Sequence, residues 1–141
     1  MTLALPFECG RHLCMVPKSE LDATWAAPYC HFSGNTFLPR FLKRGGTFYA
    51  YLRIMADEEV AADFRVNLEV VNPNNSATIR CPGVRVYNID MRWQDLIEDG
   101  AGVLPIEQKM AKKIFYAHKD GDRCPRYCIN VNYAIKKTKS L

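Results

Sequence analysis

The feature that most restricts the fold of this chain is a two-residue alternation of apolar and polar side chains. In Cys128–Ile135 (CINVNYAI), Ile129, Val131, Tyr133 and Ile135 fall on one side and Asn130, Asn132 and Ala134 on the other. Phe64–Val71 (FRVNLEVV) repeats the pattern, with Phe64, Val66, Leu68 and Val70 opposite Arg65, Asn67 and Glu69. Thr47–Met55 (TFYAYLRIM) sets Phe48, Ala50, Leu52 and Ile54 against Thr47, Tyr49, Tyr51 and Arg53. Successive side chains of a β-strand point to opposite faces, so each segment presents one apolar face and one mixed face. Val84–Tyr87 continues the alternation, and Gly10–Val16 reads as a strand stopped by Pro17.

The connections fit the same picture. Asn72–Ser76 (NPNNS) is turn chemistry, and the acidic stretch Ala56–Asp63 reads as a short helical or looped link. The strands on either side of that link are expected to lie side by side in one antiparallel sheet. Ser19–Gly46 and Ile106–Cys124 show no clear period, and Gln108–Phe115 suits helix or strand equally. Short strands and few helices argue for an all-β fold, an antiparallel β-sandwich. Its expected layout is one domain over 1–135 with a long insertion around 19–46, followed by a basic tail at 136–141 carrying Lys136, Lys137 and Lys139.

Composition narrows the functional classes. The chain has 141 residues, is 48% hydrophobic and carries a net charge of +4, which permits an acidic partner without demanding nucleic acid. No run approaches the roughly 18 apolar residues of a membrane span. The start MTLALPFECG lacks a basic leader region, so the expected location is intracellular, cytoplasmic or nuclear. Six cysteines, at 9, 14, 30, 81, 124 and 128, include the segments Cys9-x-x-His12-x-Cys14, Cys30-His31 and Cys124-x-x-x-Cys128. None has the paired spacing of a structural zinc site, so free thiols are expected and no metal. The three histidines, His12, His31 and His118, sit in no catalytic motif, and Cys30 and His31 would point apart on a strand. The expectation is a protein that is not an enzyme, with no catalytic residue and no cofactor.

Four segments carry a family resemblance. Gln94–Pro105, with Asp95-Leu96-Ile97-Glu98-Asp99-Gly100-Ala101-Gly102-Val103-Leu104, resembles the helical turn, glycine break and leucine of the MATH (meprin and TRAF homology) domain. Leu5–Lys18 resembles its P-x-F-x-x-G segment, Gly46–Glu59 its D-Y-L-S-L-Y-L strand and Asp63–Asn72 its F-x-F-x-L-x-N strand. The W-x-I-x-N-F strand that usually comes first has no counterpart, so the chain resembles either a divergent member with a remodelled edge, lacking that strand, or one whose first strand comes from another chain.

The resemblance implies a TRAF-like β-sandwich with one short helical segment near 93–99. It implies a peptide-recognition domain that binds an extended segment across one sheet, as an adaptor in ubiquitin-ligase or signalling assemblies. Transferred by motif, the groove aromatics fall on Tyr51, Phe64 and Tyr87. Parity independently sends Tyr49, Tyr51 and Arg53, and Arg85 with Tyr87, to outward faces, while Phe64 points inward. The candidate peptide-binding set is therefore Tyr49, Tyr51, Arg53, Phe64, Arg85 and Tyr87. The competing reading covers this face with the 19–46 segment, making the tyrosines a second layer of core. Two other functions remain open. One is a structural subunit of a larger complex with the groove lost. The other is a nucleic-acid module gripping phosphate with Arg40, Lys43 and Arg44 and stacking bases on Phe37, Phe41 and Phe48.

Overall fold

The computed structural model describes residues 1–10, 22–118 and 126–138. In chain order the first strands are β1 (Thr2–Gly10), β2 (Ala23–Trp25), β3 (Cys30–Phe32), β4 (Asn35–Arg44) and β5 (Thr47–Ile54). Helix α1 (Glu58–Ala61) precedes β6 (Phe64–Val71), β7 (Thr78–Arg85) and β8 (Tyr87–Asn88). Helix α2 (Trp93–Asp99) leads to β9 (Leu104–Ile106), and helix α3 (Gln108–Ile114) to β10 (Tyr116–His118) and β11 (Arg126–Lys137). One sheet runs β1-β11-β6-β7, with β10 also on β11; the other runs β2-β4-β5-β8, with β3 also on β4 and β9 on β5. The two sheets pack as a β-sandwich.

The alternating sets meet between them. Phe64, Val66, Leu68 and Val70 of β6, and Ile129, Val131, Tyr133 and Ile135 of β11, are buried against Phe37 and Phe41 of β4 and Phe48, Ala50, Leu52 and Ile54 of β5. Removing such side chains from water contributes about 1.5–3 kcal/mol each, the main force holding the sheets face to face. Tyr133 spans the gap, and its hydroxyl donates to the Arg40 carbonyl of the opposite sheet at 2.9 Å. Burial holds its phenol well above the ordinary range.

Several expectations change. The strands Thr47–Ile54 and Phe64–Val71 are not neighbours: β5 pairs with β4, β8 and β9, whereas β6 pairs with β11 and β7. The acidic link is α1, whose first turn is held by the Asp57 carboxylate accepting from the Val60 N–H at 3.0 Å, and it carries the chain from one sheet to the other. The segment 19–46 supplies β2, β3 and the central strand β4. Pro39 lies mid-strand, which would ordinarily argue against a central position. Opposite β5, however, β3 ends its pairing at Phe37 and β2 begins at Phe41, so Pro39 sits in a break where its missing N–H costs no ladder bond. A strand not read from the sequence, β1, pairs with β11 from Thr2↔Ala134 to Gly10↔Tyr127. The expected strand over Gly10–Val16 lies, beyond Gly10, outside the described residues. Lys136 and Lys137 pair with Arg65 and Phe64 inside the sheet.

The helical turn falls at Trp93–Asp99, the span expected, and Gly100 ends it with φ 69°. Gln108–Ile114 resolves as helix. Val84–Tyr87 divides between the sheets: Arg85 pairs with Arg65 in one and Tyr87 runs parallel to Arg53 in the other, with buried Val86 between them.

Candidate functional site: the outer face of the β4–β5 sheet

The residues pointing away from the sandwich interior on β4 and β5 alternate with those in the core. Leu38, Arg40, Leu42 and Arg44 lie on β4, and Tyr49, Tyr51 and Arg53 on β5, with register pairs Leu38↔Arg53, Arg40↔Tyr51 and Leu42↔Tyr49. This outer face has its own apolar centre. Leu42, Tyr51 and Tyr87 pack with Leu96 of α2 and Val103, and Tyr49, Met91, Trp93 and Ile97 close over them. Tyr51 and Tyr87 meet edge-on, with ring centroids 6.4 Å apart.

The loop after α2 is locked over this cluster by the glycine break. The Tyr87 hydroxyl donates to Asp99 Oδ2 at 2.8 Å and accepts from the Gly102 N–H at 2.8 Å. The Asp99 carboxylate also accepts from the Ala101 N–H at 3.2 Å and pairs with Arg85 at 3.5 Å. The Arg85 guanidinium lies 4.7 Å from the Tyr87 ring centroid and 3.6 Å from Glu58. Gly102 passes so close to the Arg85 carbonyl and the Tyr87 ring that a side chain there has no room. Asp99, Gly100 and Gly102 thus have separate tasks: acceptor, left-handed helix stop and close approach. Burial pushes the Tyr87 phenol up to about 12.

The candidate peptide-binding residues divide accordingly. Tyr51 and Tyr87, 2% and 0% exposed, do lie on the face that parity assigned, but as floor beneath α2 rather than as contact surface. The cover is the 91–103 segment, not 19–46. Phe64, 1% exposed, is in the sandwich core, edge-on to Phe37 with ring centroids 5.0 Å apart. Arg85 serves the loop lock. Tyr49 and Arg53 remain half-buried at the rim. The Arg53 guanidinium stands 5.7 Å from the Tyr51 ring centroid and donates to the carbonyls of Asn88 at 3.2 Å and Ile89 at 3.1 Å. Arg44 stacks 4.8 Å from the Trp93 ring centroid, donates to the Ala23 and Lys43 carbonyls at 2.9 and 2.8 Å, and lies 3.9 Å from Asp22. Arg40 contacts the Pro39 carbonyl at 3.2 Å.

The sequence reading did not place Arg40 and Arg44 on this face. No alternation of polarity marks Leu38–Arg44, since Leu38 and Leu42 share the outer side with Arg40 and Arg44 while Lys43 shares the inner side with Phe41, and Pro39 masks the strand further. The basic-aromatic stripe imagined for nucleic acid is not a surface feature, because Phe37, Phe41 and Phe48 are fully buried and Lys43 is 2% exposed. Cys30 is buried while His31 is exposed, with Nδ1 3.0 Å from Thr36 Oγ1, so the two do point apart. Among the described residues, no three His, Cys, Asp or Glu side chains gather in a metal-binding group, and no helix is long and apolar enough to cross a membrane. His12, Cys14 and Cys124 lie outside those residues. Compared with known proteins, the chain matches no family model and no curated protein.

Proposed function

We propose that this chain is a non-catalytic protein-interaction module, MATH/TRAF-like in type, that receives an extended peptide on the outer face of the β4–β5 sheet. The observation that carries the reading is the rim of that face, half-buried Tyr49, Arg40, Arg44 and Arg53, set rigidly around the closed cluster beneath α2. Planar aromatic and guanidinium groups offer large contact area with little conformational freedom to lose, which suits them to anchor a partner. The α2 turn closed by left-handed Gly100, beside a β-sandwich, supports the family resemblance. That resemblance extends the role to an adaptor in a ubiquitin-ligase or signalling assembly.

The test is a random peptide display library panned against the immobilised chain, with Tyr49→Ala as the variant. Selected peptides should share a short motif and lose at least about tenfold in affinity on Tyr49→Ala, the scale of a central aromatic contact. A library that yields no enriched sequence overturns the reading, as does one whose peptides bind Tyr49→Ala equally well.

A further inference from the structure

On the opposite side of the sandwich, we propose that the outer face of the β1-β11-β6-β7 sheet binds a neutral glycan chain of flat, β-1,4-linked pyranoses. Three register rows cross its strands: Thr2–Ala134–Asn67, Ala4–Asn132–Glu69–Arg80 and Pro6–Asn130–Val71–Thr78. These side chains alternate with those of the sandwich core, and each is exposed or half-buried. Amides and a carboxylate therefore stand beside small apolar groups. None of the exposed large hydrophobic side chains lies in the three rows.

The polar groups of this face are held in place by one another. Glu69 bridges two strands, accepting from Arg80 Nε at 2.6 Å and from Asn132 Nδ2 at 3.2 Å. Asn67 Oδ1 accepts from the Gly83 N–H at 2.6 Å, and Asn130 Oδ1 from the Tyr116 hydroxyl at 2.7 Å. The amide nitrogens of Asn67 and Asn130 and the amide oxygen of Asn132 then have no partner among the described residues. A sugar hydroxyl both donates and accepts, so neighbouring hydroxyls suit this mixture of open donors and acceptor. The C–H faces of the rings can rest on Ala4, Pro6, Val71 and Ala134.

Charge and size point to the same ligand. The only acid and the only base in the three rows, Glu69 and Arg80, form an ion pair with each other, so the face calls for no ion. Lys136 and Arg65 lie beyond one end of it and Glu8 beyond the other. Four strands roughly 4.8 Å apart and rows roughly 6.8 Å apart make a platform of about a few hundred Å². A stable protein partner needs about 800 Å² on each side. The step from strand to strand is close to the length of one sugar in an extended β-1,4 chain. Successive sugars can thus meet Ala4, Asn132, Glu69 and Arg80 in turn.

The experiment runs the full chain on native gels containing hydroxyethylcellulose, glucomannan or xylan, with soluble starch as the α-1,4-linked control and heparin as the anionic one. Calorimetry on the matching hexasaccharides follows. At least one β-1,4-linked polymer should retard the wild-type chain, and starch should not. Asn132→Ala should weaken hexasaccharide binding roughly tenfold, as expected for loss of a pair of hydrogen bonds. Ala4→Gln lays a longer neutral side chain along the same row without removing a native hydrogen bond, and it should weaken binding as well. Tyr49→Ala, on the opposite face, should bind the glycan like wild type.

Absence of retardation by every β-1,4-linked polymer overturns the inference and leaves the peptide reading intact. Equal retardation by starch overturns it too, as does full affinity in both Asn132→Ala and Ala4→Gln, or loss of binding in Tyr49→Ala. Binding to heparin alone, abolished by salt, overturns it in favour of a polyanion at Lys136 and Arg65. Should circular dichroism show Asn132→Ala unfolded, Ala4→Gln decides alone, since Ala4 is an exposed position in an edge strand.

Discussion

Replacing Gly102 by alanine tests the lock over the outer face directly. A Cβ at this position would overlap the Arg85 carbonyl oxygen and lie 2.8 Å from Tyr87 Cε2 and 2.9 Å from Arg85 Cγ. Two of these neighbours cannot move cheaply, because Arg85 is paired in β7 and Tyr87 is buried in the second core. Forcing one carbon into such a space costs about 1–3 kcal/mol. Displacing the Gly102 N–H from the Tyr87 hydroxyl adds about 1 kcal/mol. Together the loss is about 2–4 kcal/mol, which for a chain of this size lowers the melting temperature by roughly 6–12 °C. Guanidinium unfolding measures it as a lower midpoint with unchanged slope. Combining Gly102→Ala with Tyr87→Phe should cost less than the sum, since both remove the same hydrogen bond. Gly45→Ala is the contrast, because that glycine has φ 56° and nothing within 4 Å, so its loss is backbone strain alone. A Gly102→Ala chain within about 0.5 kcal/mol of wild type would refute the close-approach argument, since that is the range of surface changes.

Other expectations follow from burial and ionisation. Tyr133→Phe leaves the Arg40 carbonyl without the donor that crosses the core and should destabilise by about 1–2 kcal/mol in urea; an unchanged midpoint contradicts that bond. Between pH 10 and about 12 the folded chain keeps the Tyr87 proton that the unfolded chain releases, so the folded state binds more protons. Stability from this residue is therefore intact below pH 10 and falls as pH rises through that window, and Tyr87→Phe should show a shallower decline in melting temperature than wild type. An equal slope in both removes Tyr87 as the cause. Burial raises the thiol pKa of Cys9 and Cys81, but Cys9 is 1% exposed and Cys81 partly open. In native iodoacetamide labelling followed by peptide mapping, Cys81 should be modified well before Cys9, and the reverse order would contradict the packing.

The legible parts of the fold were those where one physical preference acted alone. In β6 and β11 the apolar set faces a single core, so parity predicted burial residue by residue. Trp93–Asp99 was legible because a helical turn running into a glycine, the residue that enters the left-handed region at least cost, signals a stop. The strands β1 and β4 were hidden by Pro6 and Pro39, though each proline has a local reason. Pro6 is exposed in an edge strand, and Pro39 occupies the break between β3 and β2. Parity could assign Tyr51 and Tyr87 to the outer face but not say what lay over it. Burial on that side depends on the 91–103 segment returning across the sheet, a tertiary fact that period two does not encode. The distribution of β5 and β6 between sheets was illegible for the same reason, because an eight-residue link can close a hairpin or cross a sandwich.

The pairing of β1 with β11 sets the order in which this molecule can be completed. The amino group of Met1 donates to the Ile135 carbonyl, a contact between residues 134 apart. Leu3, Leu5 and Phe7 are synthesised long before their partner strand. Closure of so long a loop is slow, and it must precede the sheet that rewards it. The nascent chain therefore holds an apolar strand without its partner until β11 has been made. For that interval the unpaired edge and apolar side chains of β1 are open to aggregation, and the arrival of β11 ends the exposure.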